Sequence, residues 1–315
     1  MKGGPTLRAL WECVSLPVAL ALLAGCSSSS SLPTSAPPSG SVPPLVIAHR
    51  GARSLAPENT LAAARKALEA GADMWELDVA VTADGELIVV HDDTLDRTCN
   101  VAEVYPDRRP WQVWDFTLAE IQALDCGSWF QQRDPFGQIK GGNVSDEDVA
   151  SYAGERAPTL RQALEFTRDN DWRVNVELKD QPTDTLGQIL VEKTVALVQE
   201  LGMEAGDRVA ISSFNHDYLR RIRALNPRIA IQALTSQPID DLSEYLGDLG
   251  TVACNPKSGA WSPGELKELG QAGIQMNVWT VNDEGEMEQL VDAKVHGIIT
   301  DFPQVLVRLL KQGPG

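Results

Sequence analysis

The sequence predicts an α/β protein folded as a (β/α)8 barrel, with an extra hairpin strand and a small inserted subdomain. Three observations carry that expectation. From Leu45 onward short apolar runs alternate with longer helical patterns, and eight alternations in about 270 residues match the count and length of a closed parallel barrel. A doubly wound sheet is the alternative, but no glycine-rich phosphate loop follows the first run. An Asp84-Gly85 turn then joins two apolar runs only four residues apart, which marks a hairpin inside the alternation.

In chain order, residues 1–25 read as an export leader. Lys2 and Arg8 precede the apolar run 18–23, which is too short for a membrane span. The run closes in Leu23-Ala24-Gly25-Cys26. Small residues before a cysteine resemble the bacterial lipoprotein signal, in which that cysteine is lipidated and becomes the mature N-terminus. An ordinary secretory leader with a chance cysteine is the alternative. After Cys26, residues 27–44 read SSSSSLPTSAPPSGSVPP, uncharged and Ser/Pro-rich, so that 26–44 suits a tether between a lipid and a domain. The expectation is an exported protein, lipid-anchored to the bacterial cell envelope. Ser27 in place of Asp after the cysteine would address it to a Gram-negative outer membrane, facing the periplasm or the surface.

The barrel is expected over 45–315. Its strand candidates are LVIAH (45–49), MWELDV (74–79), WRVNVEL (172–178), RVAIS (208–212), IAIQAL (229–234), TVACN (251–255), QMNVW (275–279) and GIITD (297–301). Helix candidates are 59–70, 185–201, 215–225, 263–272, 283–292 and 303–311. Asn215, Ser262, Asn282 and Asp301 are candidate N-caps, and Pro263 and Pro303 suit first turns. Gly71, Gly202 and Gly273 stand where helices should stop. ELIVVHD (86–92) should fold back antiparallel on the second barrel strand. Residues 93–157, rich in Gly, Asp and aromatics and without a clean period, read as an insertion on the barrel rim.

Composition narrows the function. Asp and Glu total 44 against 27 Lys and Arg, a net charge of −17, which is wrong for a nucleic-acid binder. An anionic substrate would have to be drawn by local cations. Five cysteines without a CxxC motif exclude a disulfide-stapled miniprotein, a zinc ribbon and a thioredoxin-like site. Export permits a disulfide. Cys99 and Cys126 flank one irregular segment and are the favoured pair, whereas Cys254 lies in an apolar run and reads as a buried thiol. Three buried thiols are the alternative.

Side chains alternate along a strand, so Glu76 and Asp78 share one face of MWELDV, and Asn175, Glu177 and Lys179 share one face of the later run. The aliphatic faces should pack on helices, which turns the polar faces into the barrel mouth. Three converging carboxylates repel unless a cation intervenes, and an all-oxygen ligand set selects a hard one, Mg2+ or Ca2+. His49 and His91 both stand at strand ends near this site and suit general acid–base chemistry. His216 and His296 read as solvated or capping side chains. Arg50 and Lys179 could meet a phosphate; alone, each is more often half of an ion pair.

These residues carry a family resemblance. IAHRGARSLAPENTLAA, ELDVAVTADGELIVVHDDTLDRT, LDCGSWF, APTL, VNVELK, ISSF, WTVN and GIITDFP, in this order, resemble the glycerophosphodiester phosphodiesterase family over 45–315. The resemblance implies a (β/α)8 barrel and metal-dependent hydrolysis of glycerophosphodiesters to sn-glycerol 3-phosphate and an alcohol. It implies His49 and His91 as the catalytic pair and Glu76, Asp78 and Glu177 as ligands of one divalent cation. Arg50 and Lys179 match phosphate-contacting positions, with Glu58 of PENT and Trp279 of WTVN also near the substrate. The implied route has the glycerol 2-hydroxyl attack first, giving a cyclic phosphate that water opens; direct attack by water is the alternative. Two other functions stand beside this one. One is a lysophospholipase D-like activity with an acyl chain on the aromatic insertion; the other is a non-catalytic surface binding protein.

Overall fold

The computed structural model describes residues 42–312 together with Met1. Apart from Met1, the expected leader lies outside the described residues, as do Cys26 and all but the last three residues of the tether. Among those described, no helix is long and apolar enough to cross a membrane.

Nine strands form one sheet: β1 (Leu45–Ala48), β2 (Met74–Val81), β3 (Leu87–Val89), β4 (Val174–Leu178), β5 (Val209–Ser213), β6 (Ala230–Thr235), β7 (Ala253–Pro256), β8 (Gln275–Val278) and β9 (Gly297–Thr300). The order is β1-β9-β8-β7-β6-β5-β4-β2-β3, and β1 also pairs with β2, so eight parallel strands close a ring and β3 stays outside it. β3 runs antiparallel to β2, with Val79 opposite Val89 and Val81 opposite Leu87, as the Asp-Gly turn requires. Closure is tight at Gly297, where an added Cβ would lie 2.5 Å from Asn277 Oδ1.

Helices follow the ring strands at Leu61–Ala70, Leu160–Asp169, Asp184–Glu200, His216–Leu225, Leu242–Leu249, Pro263–Gln271, Glu284–Ala293 and Pro303–Gln312. Asn215 and Ser262 cap as expected, Ser262 with Pro263 in the first turn. Gly71 caps its helix in the left-handed conformation. Two capping expectations are corrected. The helix Glu284–Ala293 is capped by Asp283, and the Asn282 amide instead donates to Asp301 Oδ2 at 2.8 Å. Asp301 spends its other oxygen on His49, as described below. Two of these ring helices were not expected. Leu160–Asp169 has a full Thr159/Gln162 capping box but directly follows the irregular insertion. Leu242–Leu249 is eight residues long, starts at Asp241 with Glu244 in its first turn and stops at Gly250 in the left-handed conformation.

The core lies between sheet and helices. Trp75, Leu77 and Val79 of β2 and Val174, Val176 and Leu178 of β4 all point into it. Trp75 stacks on Trp172 with ring centres 6.2 Å apart, and its indole N–H donates to Thr167 Oγ1 at 2.8 Å, so its one polar atom is satisfied. Inside the ring, Ile47, Met74 and Ile299 form a small apolar plug. Above it the inward residues of β2 become Glu76 and Asp78.

The insertion has its own core. Trp111, Val113, Phe116, Ile121 and Leu124 pack against Ile88 and Val90 of the hairpin, and Phe130 packs on Tyr152 in an adjoining cluster. A disulfide joins Cys99 to Cys126, and Cys254 is a buried free thiol.

Candidate active site

The site occupies the C-terminal mouth of the ring, where a parallel barrel gathers the ends of all its strands. Pairing of β2 with β4 sets Glu76 beside Asn175 and Asp78 beside Glu177. Glu76, Asp78 and Glu177 can each offer an oxygen within 4.8 Å of the others. Glu76 and Asp78 are almost fully buried, at 3% and 1% exposure. Burial and the neighbouring charges of Asp78 and Glu177 push the Glu76 carboxyl well above its usual range. Burial and Asp78 likewise push Glu177 up, although Lys179 opposes. Burial acts on Asp78 too, but Arg50, His91 and Lys179 outweigh it and hold its carboxyl down at about 2.

Glu76 Oε1 is buried without a hydrogen-bond partner, and so are Asn175 Oδ1 and Ser212 Oγ, which line the same cleft. A buried carboxylate oxygen with no donor is costly unless something else fills that role. Three converging carboxylates with one such oxygen fit a hard divalent cation.

The loop after β1 delivers the next residues. Arg50 and Gly51 both take positive φ, 55° and 79°, and a Cβ on Gly51 would lie 2.6 Å from the Ala63 carbonyl carbon. Glycine is therefore required in this HRG turn. The turn brings the Arg50 N–H onto Glu76 Oε2 at 2.8 Å. Its guanidinium pairs with Glu58 Oε1 at 2.8 Å and Asp78 Oδ2 at 3.3 Å. Arg50 is thus buried among carboxylates at the base of the cleft. Asn59 locks Asp78 from the other side, donating to Oδ2 at 2.8 Å.

Each histidine expected at the site has its own carboxylate. His49 Nδ1 lies 2.7 Å from Asp301 Oδ1, and His91 Nδ1 lies 2.7 Å from Asp92 Oδ1. Burial raises and the imidazoles lower the pKa of both aspartates, with a net downward shift, so both are ionised and can only accept. The Nδ1 atoms therefore carry the protons, and each Nε2 is left to the cleft. Burial, then Arg50, lower the pKa of His49, which favours its neutral form.

Lys179 Nζ pairs with Glu177 Oε1 at 2.9 Å and lies 3.7 Å from Asp78 Oδ1. Trp279 lines the cleft with its indole N–H fixed on the Asn255 carbonyl at 2.8 Å, and its ring meets Phe214 edge-on at 5.4 Å. His216 uses both nitrogens, on Tyr245 and the Leu234 carbonyl, and His296 bonds Asn277. All the expected cleft residues thus gather at one mouth, with Glu58 just behind it. Sequence reasoning missed Asp301, Asp92, Arg97, Asn59 and Phe214. For Asp92 a signal existed, its position directly after His91.

The sequence matches the glycerophosphoryl diester phosphodiesterase family over residues 49–305. It is 36% identical over 269 residues to a glycerophosphodiester phosphodiesterase of Caldanaerobacter subterraneus subsp. tengcongensis, covering 85% of this chain and 98% of that protein. The fold is similar to that of an Oleispira antarctica phosphodiesterase solved in complex with the product sn-glycerol-3-phosphate. That likeness has a TM-score of 0.71 at 27% identity and covers 85% of this chain and 97% of the other. A glycerophosphodiester phosphodiesterase from Agrobacterium tumefaciens gives a TM-score of 0.64 at 28% identity, covering 84% and 98%.

Proposed function

The chain belongs to the glycerophosphoryl diester phosphodiesterase family, and on that premise we propose that it hydrolyses glycerophosphodiesters to sn-glycerol 3-phosphate and an alcohol, with one divalent cation and a pair of histidines. The observation that carries this reading is the cleft itself: three buried carboxylates, one with an oxygen lacking any donor, and two imidazoles each oriented by an aspartate. Glu76, Asp78 and Glu177 would hold the cation, Mg2+ or Ca2+. When bound, it neutralises charge on the phosphodiester and makes a nearby hydroxyl more acidic.

The chain's own residues supply the rest. One imidazole, neutral with its proton on Nδ1, accepts the proton of the attacking hydroxyl at Nε2; the other enters the step as an imidazolium and gives its Nε2 proton to the departing alkoxide, each transfer worth about 10²–10⁴-fold. Attack by the glycerol 2-hydroxyl, followed by opening of the cyclic phosphate by water, uses the same two groups in alternation. Lys179, on the open side of the carboxylates, offers a cation to a phosphate oxygen, and Arg50 holds Glu76 and Asp78 in place from below. Trp279 and Phe214 give the glycerol carbons an apolar wall and keep water from that side. Headgroup diesters suit the site better than lysophospholipids, because Trp111, Phe116 and Phe130 of the insertion are buried in its own core.

Purified protein incubated with glycerophosphocholine and Mg2+ or Ca2+ should release glycerol 3-phosphate and choline in equal amounts, and chelation should stop it. Release of phosphocholine, or full turnover with metal removed, would overturn the reading. Lipid anchorage at Cys26 belongs to the same proposal. Metabolic labelling with palmitate should mark the full chain and spare Cys26→Ser; equal labelling of both would refute it.

A further inference from the structure

Glu58 has no task in the chemistry above, yet three arginines converge on it. Its side chain is 2% exposed and meets three guanidiniums. Arg50 donates to Oε1 at 2.8 Å, Arg53 lies 3.0 Å from Oε2, and Arg97 donates to Oε1 at 2.6 Å and Oε2 at 3.0 Å. Burial opposes the charge, but Arg97, Arg50 and Arg53 hold the carboxyl well below the usual carboxylate range. Three guanidiniums this close would repel one another without an anion among them.

Two of these arginines reach onward. Arg53 lies 3.6 Å from Asp301 Oδ1, the oxygen that holds His49. Arg97 donates through Nε to Asp92 Oδ2 and through Nη2 to Asp92 Oδ1 at 3.1 Å, the oxygen that holds His91. An unbroken chain of charged contacts therefore runs His49–Asp301–Arg53–Glu58–Arg97–Asp92–His91. One half of it belongs to the loops after β1 and β9. The other half runs from the end of the hairpin segment, with His91 and Asp92, into the start of the insertion, with Arg97.

We propose that Glu58 is a positioning residue that ties the two histidine–aspartate pairs into one unit. It locks Arg53 and Arg97, these brace Asp301 and Asp92, and the two imidazoles keep a fixed separation across the cleft. This rests on the reading of His49 and His91 as the acid–base pair. Without the Glu58 charge the guanidiniums push apart and both aspartates shift, and a misplacement of about 1 Å can cost roughly 10²-fold in rate.

The test uses the full chain, Mg2+ and glycerophosphocholine. Glu58→Gln should lower kcat by about tenfold or more with KM changed less than about twofold, since the loss falls on orientation and not on substrate binding. A folded Glu58→Gln protein with wild-type kcat would overturn the proposal. Should this variant fail to fold, Asp92→Asn and Asp301→Asn decide, singly and combined. If the pairs act as one unit, the double variant loses far less than the product of the single losses. Losses that multiply would show two independent pairs and refute the proposal. His49→Ala and His91→Ala run alongside: normal turnover in both would remove the catalytic reading itself. Slow histidine variants with a fast Glu58→Gln would remove only the role given to Glu58.

Discussion

On β2, Trp75, Leu77 and Val79 point outward into the helical layer, and Glu76 and Asp78, interleaved with them, point into the barrel mouth. The outward side chains are fully buried, packed on their neighbours and satisfied down to the Trp75 indole N–H. The inward ones are equally buried, but one oxygen has no donor, and two carboxyls of the cluster are pushed up by burial and by the neighbouring Asp78 charge. The same strand holds the fold together on one face and gives up stability on the other. Like charges crowded in a dry site are tolerated where a ligand will relieve them.

The difference can be broken most strongly at the mouth. His49→Ala and His91→Ala should each lower kcat by about 10²–10⁴-fold while the melting temperature changes little, as steady-state kinetics and calorimetry would show. A normal rate in either variant would remove that histidine from the chemistry. On the outward face the pattern should reverse. Trp75→Ala should cost about 3–5 kcal/mol in urea unfolding, with near-normal kcat in the fraction that stays folded.

The division between faces was legible in the sequence because a strand has a period of two. Glu76 with Asp78, and Asn175 with Glu177, could be read as inward pairs from their aliphatic neighbours alone. Asp301 was not legible in that way. An aspartate before Phe-Pro reads equally well as a helix cap, and only closure of the ring by β1 and β9 brings it to His49, 252 positions away in the chain. Arg97 was hidden likewise, since nothing local ties an arginine in an irregular insertion to Glu58. The short helix Leu242–Leu249 had signals in Asp241, Glu244 and Gly250, but its eight residues are too few to show a clear helical period.

A smaller and more local effect is expected in the insertion, whose core is separate from that of the barrel. The Cys99–Cys126 bridge closes a sequence separation of 27, worth about 3–4 kcal/mol by chain entropy. A Cys99→Ser/Cys126→Ser double variant should keep a cooperative barrel transition but become protease-sensitive within 93–157. It should also lose some activity, because Arg97 stands two residues from Cys99. Unchanged proteolysis would show that the insertion holds without the bridge.

The subtlest change bears most directly on why the mouth is built as it is. Glu76→Gln removes one charge from the repelling cluster. The Glu76 pKa is raised by folding, so above the ordinary glutamate range its ionisation costs stability, and this cost fades as the pH falls toward that range. Melting temperatures of the wild type and Glu76→Gln should therefore be measured at neutral pH, in chelator and in millimolar Mg2+ or Ca2+. The prediction is a crossover: Glu76→Gln melts higher in chelator, and the wild type gains more from the cation and overtakes it. A wild type that is the more stable without metal and gains nothing from either ion would contradict the assignment of Glu76, Asp78 and Glu177 as a cation site.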